Sequence, residues 1–315
     1  MSLEKIMVFS GSGSRKLTQN ICKSLKVTMG KSEVLKFSEG NTFVRILENV
    51  RGRKVYLVQS TVFPANDNFM ELLFWIDAFK RASADSVTVI IPYFSYGKGD
   101  KKDEPRVSIR ARVCADAIEV AGADRVIAMD LHSPQIQGFF RIPVDNLYAL
   151  PVHCERIKKE KLKNLVIVSP DTGYAVHARK YAAYLGASVA IADKQRVAHD
   201  EHAKILEVIG DVKGKNAVVV DDFTISGGTL VEVSKKLKEM GAARIYGMVS
   251  HGVFTGDSMK NIDASPMEKL IVTDTVENQP VALSRKIEIV SVAPLFARAI
   301  ESIHNRKSIS AMFPG

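Results

Sequence analysis

The sequence predicts an α/β chain, with mostly parallel sheets flanked by helices. Two observations carry that prediction. Short Val- and Ile-rich runs lack the polar alternation of half-exposed strands, so they read as strands buried on both faces. Helical stretches separate these runs, and strand–helix–strand repetition favours a parallel sheet covered on both sides. A third observation suggests duplication. Gly122–Met129 resembles Gly241–Met248 at an offset of 119 residues, and His132 falls on His251 at the same offset.

In chain order, the expected strands are Ile6–Phe9, Val55–Gln59, Val87–Ile91 and Val126–Met129. Leu165–Ser169, Val189–Ala192, Ala217–Val220 and Ile245–Val249 follow in the second half. Helical stretches fall at Asn68–Arg81, Ile109–Val120, Ala175–Leu185 and Gly228–Met240. The helix from Ile109 repeats as the helix from Gly228, and Arg53–Ser60 shares a basic-then-apolar profile with Lys163–Pro170. We therefore expect two related halves, residues 1–147 and 148–315, with the C-terminal helix available to pack on the first.

A chain of 315 residues is long enough for two such cores. The composition, 46% hydrophobic and 25% charged, is ordinary for a globular protein. A formal charge of +9 favours anionic partners without saying which. No basic stripe interleaved with aromatics is present, so nucleic acid is not the expected partner. No apolar run reaches the ~18–20 residues of a membrane span, and the N-terminus lacks signal-peptide anatomy. The expectation is a cytoplasmic protein. Cys22, Cys114 and Cys154 are far apart, with no CxxC spacing, and are expected as packed, reduced thiols.

Two glycine-rich segments fail as nucleotide motifs. Gly11-Ser12-Gly13-Ser14 would need glycine at Lys16 to match G-x-G-x-x-G, and Gly30-Lys31-Ser32 has Leu25 where a P-loop opens with glycine. They read as a strand-to-helix turn and a helix end.

Ala217–Thr229 is far more specific. A buried strand ends in Asp221 and Asp222, and Ile225-Ser226-Gly227-Gly228-Thr229 opens a helix. Ligands of open α/β sheets bind at the carboxyl ends of strands, and loop N–H groups at a helix start suit a phosphate dianion. The two acids suit vicinal ribose hydroxyls, or a metal ion. The segment resembles the ribose-phosphate loop of the type I phosphoribosyltransferase fold. The first half reads Glu104–Ile109 at the corresponding place, without such glycines, so its phosphate loop is degenerate.

Asp130 and His132 follow another strand, two residues apart. In an extended chain both would point the same way, toward a divalent metal or a proton-transfer site. The run Asp130-Leu131-His132-Ser133-Pro134-Gln135 through Pro143-Val144-Asp145 resembles the signature of the ribose-phosphate pyrophosphokinase family. The resemblance continues through Val58–Thr61, Pro64–Asn68, Ile91–Phe94, Val168–Asp171 and Ser308–Phe313, nearly the whole chain.

That resemblance implies two tandem type I phosphoribosyltransferase-like domains. It implies transfer of the β,γ-pyrophosphoryl group of ATP to the 1-hydroxyl of ribose 5-phosphate, with Mg2+. It further implies dimers that build homo-hexamers. The Ile225–Thr229 loop would hold the 5-phosphate, and Asp221 and Asp222 the ribose hydroxyls. His132 and Asp171 would contact magnesium or the ATP phosphates, with Asp130 and Asp145 supporting the metal. Lys194 and Arg196, at the start of a polar loop over Lys194–His202, would clamp the migrating group. His199 and His202 read as solvated.

On the adenine side the matching stretches are Phe37-Ser38-Glu39-Gly40-Asn41 and Tyr96-Gly97-Lys98-Gly99-Asp100. Here Lys98 stands for an arginine and offers no planar fork. Gly99 stands for a glutamine and Asn41 for a glutamate. Arg141 stands where many members have an aspartate, and Ile225 replaces another. These departures leave the nucleotide preference open, and a catalytically weak regulatory subunit of the same family is the alternative. A phosphoribosyltransferase would explain the Asp221–Thr229 loop but not the Asp130–Asp145 run.

Overall fold

The computed structural model describes residues 6–195, 204–277 and 284–312. The first half holds β1 (Ile6–Ser10), α1 (Arg15–Leu25), β2 (Ser32–Lys36), β3 (Thr42–Ile46), β4 (Lys54–Val58) and α2 (Ala65–Arg81). It continues with β5 (Ser86–Ile91), α3 (Arg110–Ala121), β6 (Arg125–Met129) and β7 (Val144–Leu147). Strands β1-β4-β5-β6-β7 form one wholly parallel sheet in that order.

The second half holds α4 (Leu150–Lys158), β8 (Leu165–Ser169), α5 (Ala175–Leu185), β9 (Ser188–Gln195), β10 (Lys204–Ile209) and β11 (Asn216–Thr224). Then come α6 (Gly228–Glu239), β12 (Arg244–Gly252), α7 (Ser258–Ala264), β13 (Lys269–Thr273), β14 (Ile287–Val290) and α8 (Ala293–His304). The sheet order is β10-β9-β8-β11-β12-β13-β14, and only β10 runs antiparallel to its neighbour.

Successive strand residues point to opposite faces, and here both faces are apolar. In the first sheet Phe9, Leu57, Val89 and Val126 pack under α2 and α3, against Leu72, Trp75, Phe79 and Ile118. Val8, Val58, Ile90 and Ile127 pack on the other face with α1 and α8. In the second sheet Val168, Val219 and Ile245 meet Leu230, Val233 and Leu237 of α6. Ile167, Val218 and Tyr246 meet Ile157 and Tyr181 from α4 and α5.

Every expected strand and helix is present, several of them longer than the sequence suggested. The 119-residue repeat holds structurally: β6 begins at Arg125 and β12 at Arg244. Gly122 and Gly241, which close α3 and follow α6, both take left-handed φ of 107° and 83°, where a Cβ would be strained. The antiparallel hairpin β2–β3 was not expected. Its side chains are half-buried to exposed, so it lacks the continuous apolar signature. Gly30 is not a helix end. It lies beyond α1, and a Cβ there would fall 2.4 Å from the Phe9 ring. The three cysteines are buried and unpaired, and burial pushes their thiols up to about 11–12.

Candidate active site

Strand β11 outruns its apolar core and ends in the acid pair. Asp221 pairs in register with Val249, and Phe223 with His251. Asp222 is buried, and its Oδ1 accepts a hydrogen bond from the Phe223 N–H at 2.9 Å. Its Oδ2 lies 2.6 Å from His132 Nδ1. Asp221 Oδ1 accepts from the Asp222 N–H at 2.9 Å. Burial first, and then the like charges of Asp222 and Asp171, hold the Asp221 carboxyl well above the usual carboxylate range.

The loop then turns into α6. Gly227 takes φ 77°, a left-handed conformation, and a Cβ there would fall 3.2 Å from Ile262. Ser226 Oγ accepts from the Gly228 N–H at 3.3 Å. The start of α6 therefore presents backbone N–H groups as an anion cradle. Ile225 leaves the cradle altogether. Its side chain packs on Val62, Val253 and Val276 beside Tyr93, which explains an apolar residue at that position. Asp171 Oδ1 accepts from the Tyr174 N–H at 3.0 Å, fixing the turn into α5.

Asp130 and His132 do not share an extended segment, contrary to the sequence expectation. Asp130 takes φ 40° and turns its carboxylate into the protein. Its Oδ2 accepts from Ser250 Oγ at 2.5 Å and from the Ala149 N–H at 2.9 Å. Burial pushes this carboxyl up to about 6, against the pull of those two donors. Asp130 thus ties the end of β6 to β12 and to the start of α4. Asp145 lies on β7 and pairs with Arg125 on β6 at 2.5 Å.

His132 faces outward to Asp222, and that hydrogen bond is the main cause of its raised pKa. Asp100 raises it further and Lys98 opposes the shift. Lys98 Nζ sits 4.1 Å from the centre of the Phe223 ring, and His132 meets the same ring edge-on at 5.6 Å. Phe223 is therefore held between a lysine and a histidine of the other half. Tyr93, Phe94, Lys98, His132, Asp222 and Phe223 line a cleft of about 290 Å³, counting its open mouth.

The repeat partner of His132 has a different fate. His251 is buried, and its Nε2 reaches the Met129 carbonyl at 3.1 Å. A carbonyl only accepts, so Nε2 carries the hydrogen and Nδ1 faces Thr275 Oγ1 at 2.8 Å. Burial pushes this imidazole down to about 4, so it stays neutral. Ser250, His251, Thr275 and Phe223 were missed as site-forming residues. Only the repeat pointed at His251, and only its place in the Asp221–Thr229 segment pointed at Phe223.

The residues expected on the nucleotide side fall in two places. Lys98 lines the cleft, with Gly99 and Asp100 following it. Phe37, Glu39, Gly40 and Asn41 form the exposed tip of the β2–β3 hairpin, closed by Phe37 N–H to the Asn41 carbonyl at 2.9 Å. They do not line the cleft. Lys194 belongs to β9, paired with Ile205 of β10, and is not on a loop as the sequence suggested. Arg196, His199 and His202 lie outside the described residues.

Among the described residues, no group of three or more His, Cys, Asp or Glu side chains could hold a metal ion by itself. Asp171 and Asp222 nevertheless lie close enough to Asp221 for their charges to oppose its ionisation. Such oxygen donors fit a hard cation shared with substrate phosphates, the usual way Mg2+ is bound.

The fold agrees with what three comparisons found. Residues 6–122 match the model for the N-terminal domain of ribose phosphate pyrophosphokinase, and residues 197–314 that for the phosphoribosyl synthetase-associated domain. A ribose-phosphate pyrophosphokinase of Ralstonia nicotianae is 44% identical over 315 residues, covering 99% of each chain. One from Caldanaerobacter subterraneus is 44% identical over 309 residues, covering 98% of each. The crystal structure of phosphoribosylpyrophosphate synthetase from Mycobacterium smegmatis superposes with a TM-score of 0.89 at 34% identity, covering 96% of this chain and 99% of that one. With its acid pair, its anion cradle and full-length identity of this order, the chain belongs to the ribose-phosphate pyrophosphokinase family.

Proposed function

We propose that this chain transfers the β,γ-pyrophosphoryl group of ATP to the 1-hydroxyl of ribose 5-phosphate, releasing AMP, and that the site above does the work. The observation that carries this reading is the 2.6 Å contact between His132 and Asp222. It joins the cationic, nucleotide-side half to the acid pair that precedes the anion cradle.

In this reading the 5-phosphate sits on the N–H groups of Ser226–Thr229. Asp221 and Asp222 bind the ribose hydroxyls and fix the 1-hydroxyl for in-line attack. Asp222 favours the cationic form of His132 toward the donor phosphates. Lys194 and Arg196 neutralise the migrating group, since phosphoryl-type transfer depends on positioning and charge stabilisation more than on a strong base. Magnesium, when bound through Asp171 and the acid pair, supplies further neutralisation of the triphosphate. We also assign Asp130 a positioning part, and we divide the chain near residue 148. Cytoplasmic residence and a homo-oligomer belong to the same reading, and no described helix is long and apolar enough to cross a membrane.

Purified protein with magnesium, ATP and ribose 5-phosphate should form AMP only when the sugar is present. Absence of sugar-dependent AMP overturns the reading and favours a regulatory subunit. Lys194→Ala should lower kcat by about 10²–10³-fold with the fold intact by circular dichroism.

A further inference from the structure

We infer that Arg110 recognises the nucleoside triphosphate donor and is a specificity-determining residue of this site. The inference rests on the reading of the cleft given above, and concerns a residue that no motif marks. Lys98 and Gly99 leave the nucleotide side without a planar hydrogen-bonding fork. Arg110 supplies one at the same place.

A Cβ built on Gly99 would lie 2.6 Å from Arg110 Nε, 2.9 Å from its Cβ and 3.3 Å from its Cζ. The side chain of Arg110 therefore lies along the bare face of residue 99 and fills the space of the side chain missing there. The two segments are fixed to one another, because the Ala111 N–H donates to the Gly99 carbonyl at 3.1 Å. The pairing is selective: with any side chain at 99, Arg110 must move away.

The same short segment enters the cleft. Gly97 and Lys98 line it, and a Cβ on Gly97 would lie 3.6 Å from that of His132. Arg110 thus stands at the outer end of the strip that carries Lys98 to Phe223 and His132. Its own neighbours leave it available. Arg112, two residues on, is engaged by Asp116 at 2.5 Å and by the Phe139 carbonyl at 2.6 Å. Arg110 is exposed, no acid stands in the first turn of α3, and no hydrogen bond or ion pair occupies it among the described residues. A guanidinium held against Gly99, one residue beyond the cleft-lining Lys98, is matched to an oxyanion or to the flat face of a base, and a nucleoside triphosphate offers both.

The test is ATP affinity, read by calorimetry with magnesium and by steady-state kinetics, on wild type, Arg110→Ser, Arg110→Lys and Gly99→Ala. Arg110→Ser should weaken ATP binding and raise its KM about tenfold, the loss of one charge-assisted contact, with kcat and the KM for ribose 5-phosphate little changed. Arg110→Lys keeps the charge but not the fork and should stay impaired. Gly99→Ala should reproduce the defect by displacing Arg110. The double variant Gly99→Gln, Arg110→Ser should recover ATP affinity. Unchanged ATP binding in Arg110→Ser, or equal loss for both substrates, overturns the assignment. Full rescue by lysine overturns the role of the fork. Calorimetry reads Arg110 without turnover, so a wild type that binds ATP but forms no AMP sinks the proposed reaction alone.

Discussion

At the scale of single residues, the acid pair shows how one spacing serves two ends. Asp221 is half-buried beside like charges, whereas Asp222 spends its charge on His132. Asp221→Asn should therefore raise the KM for ribose 5-phosphate about tenfold or more, as expected for a lost hydrogen bond to a charged group, with the ATP KM nearly constant. The opposite pattern in initial-rate kinetics would exchange the two pockets. A second residue makes a pH prediction. His153 is buried with Nδ1 3.0 Å from the Tyr181 hydroxyl, and burial pushes its imidazole down to about 3. The folded state binds its proton less readily than the unfolded one, so this contribution to stability is full above the unfolded pKa of about 6.5 and is lost as pH falls toward 3. His153→Phe should flatten the decline of Tm between pH 7 and pH 5; an equally steep decline would discount His153 as a contributor. The Asp221–Thr229 residues were legible because one continuous segment carries them. The destinations of Lys98 and Arg110 were not, because each depends on a partner brought by another element.

At the scale of elements, legibility largely followed burial, although the buried strand β13 was not among the expected strands. Strands covered on both faces read directly from Val and Ile runs, and β8 and α5 match their expected limits. The β2–β3 hairpin and α7 escaped notice because partial exposure mixes polar and apolar positions. The anion cradle belongs to this scale, since its N–H groups come from the junction of β11 with α6 and not from any one side chain. Gly227→Ala imposes a Cβ at φ 77° and presses it on Ile262. The cost should be about 1–2 kcal/mol in urea unfolding, with a raised KM for ribose 5-phosphate and an unaltered ATP KM.

At the scale of the whole molecule, the halves are interlocked rather than strung together. Helix α8, last in the chain, packs Leu295, Phe296 and Ile300 against Ile6, Val8, Leu17 and Ile21 of the first half. The Leu17 N–H donates to Glu277 at 2.9 Å, and Ser60 Oγ to the Thr275 carbonyl at 2.5 Å. Phe296→Ala removes a fully buried ring from that seam and should destabilise the protein by about 3–5 kcal/mol. If unfolding of the first half, followed by the single tryptophan Trp75 inside its core, were unaffected, the seam would not hold that half. The charge excess has local uses at this scale as well: Lys98 faces the cleft, and many other cations make surface pairs such as Arg244–Glu268.

The sequence by itself determined the α/β class, the order of most strands and helices, the repeated unit and the strand–loop–helix turn of Asp221–Thr229. Each of these is written in local periodicity or in one unbroken segment, where chain geometry alone fixes which side chains are neighbours. Tertiary structure decided the rest. It brought His132 to Asp222 across 90 residues, turned Asp130 inward and His251 into the seam, laid Arg110 over Gly99, and returned α8 to the first half. Sequence spacing carries no distance between segments that meet only when two sheets pack, and for that reason the contacts across the cleft had to be read from the folded chain.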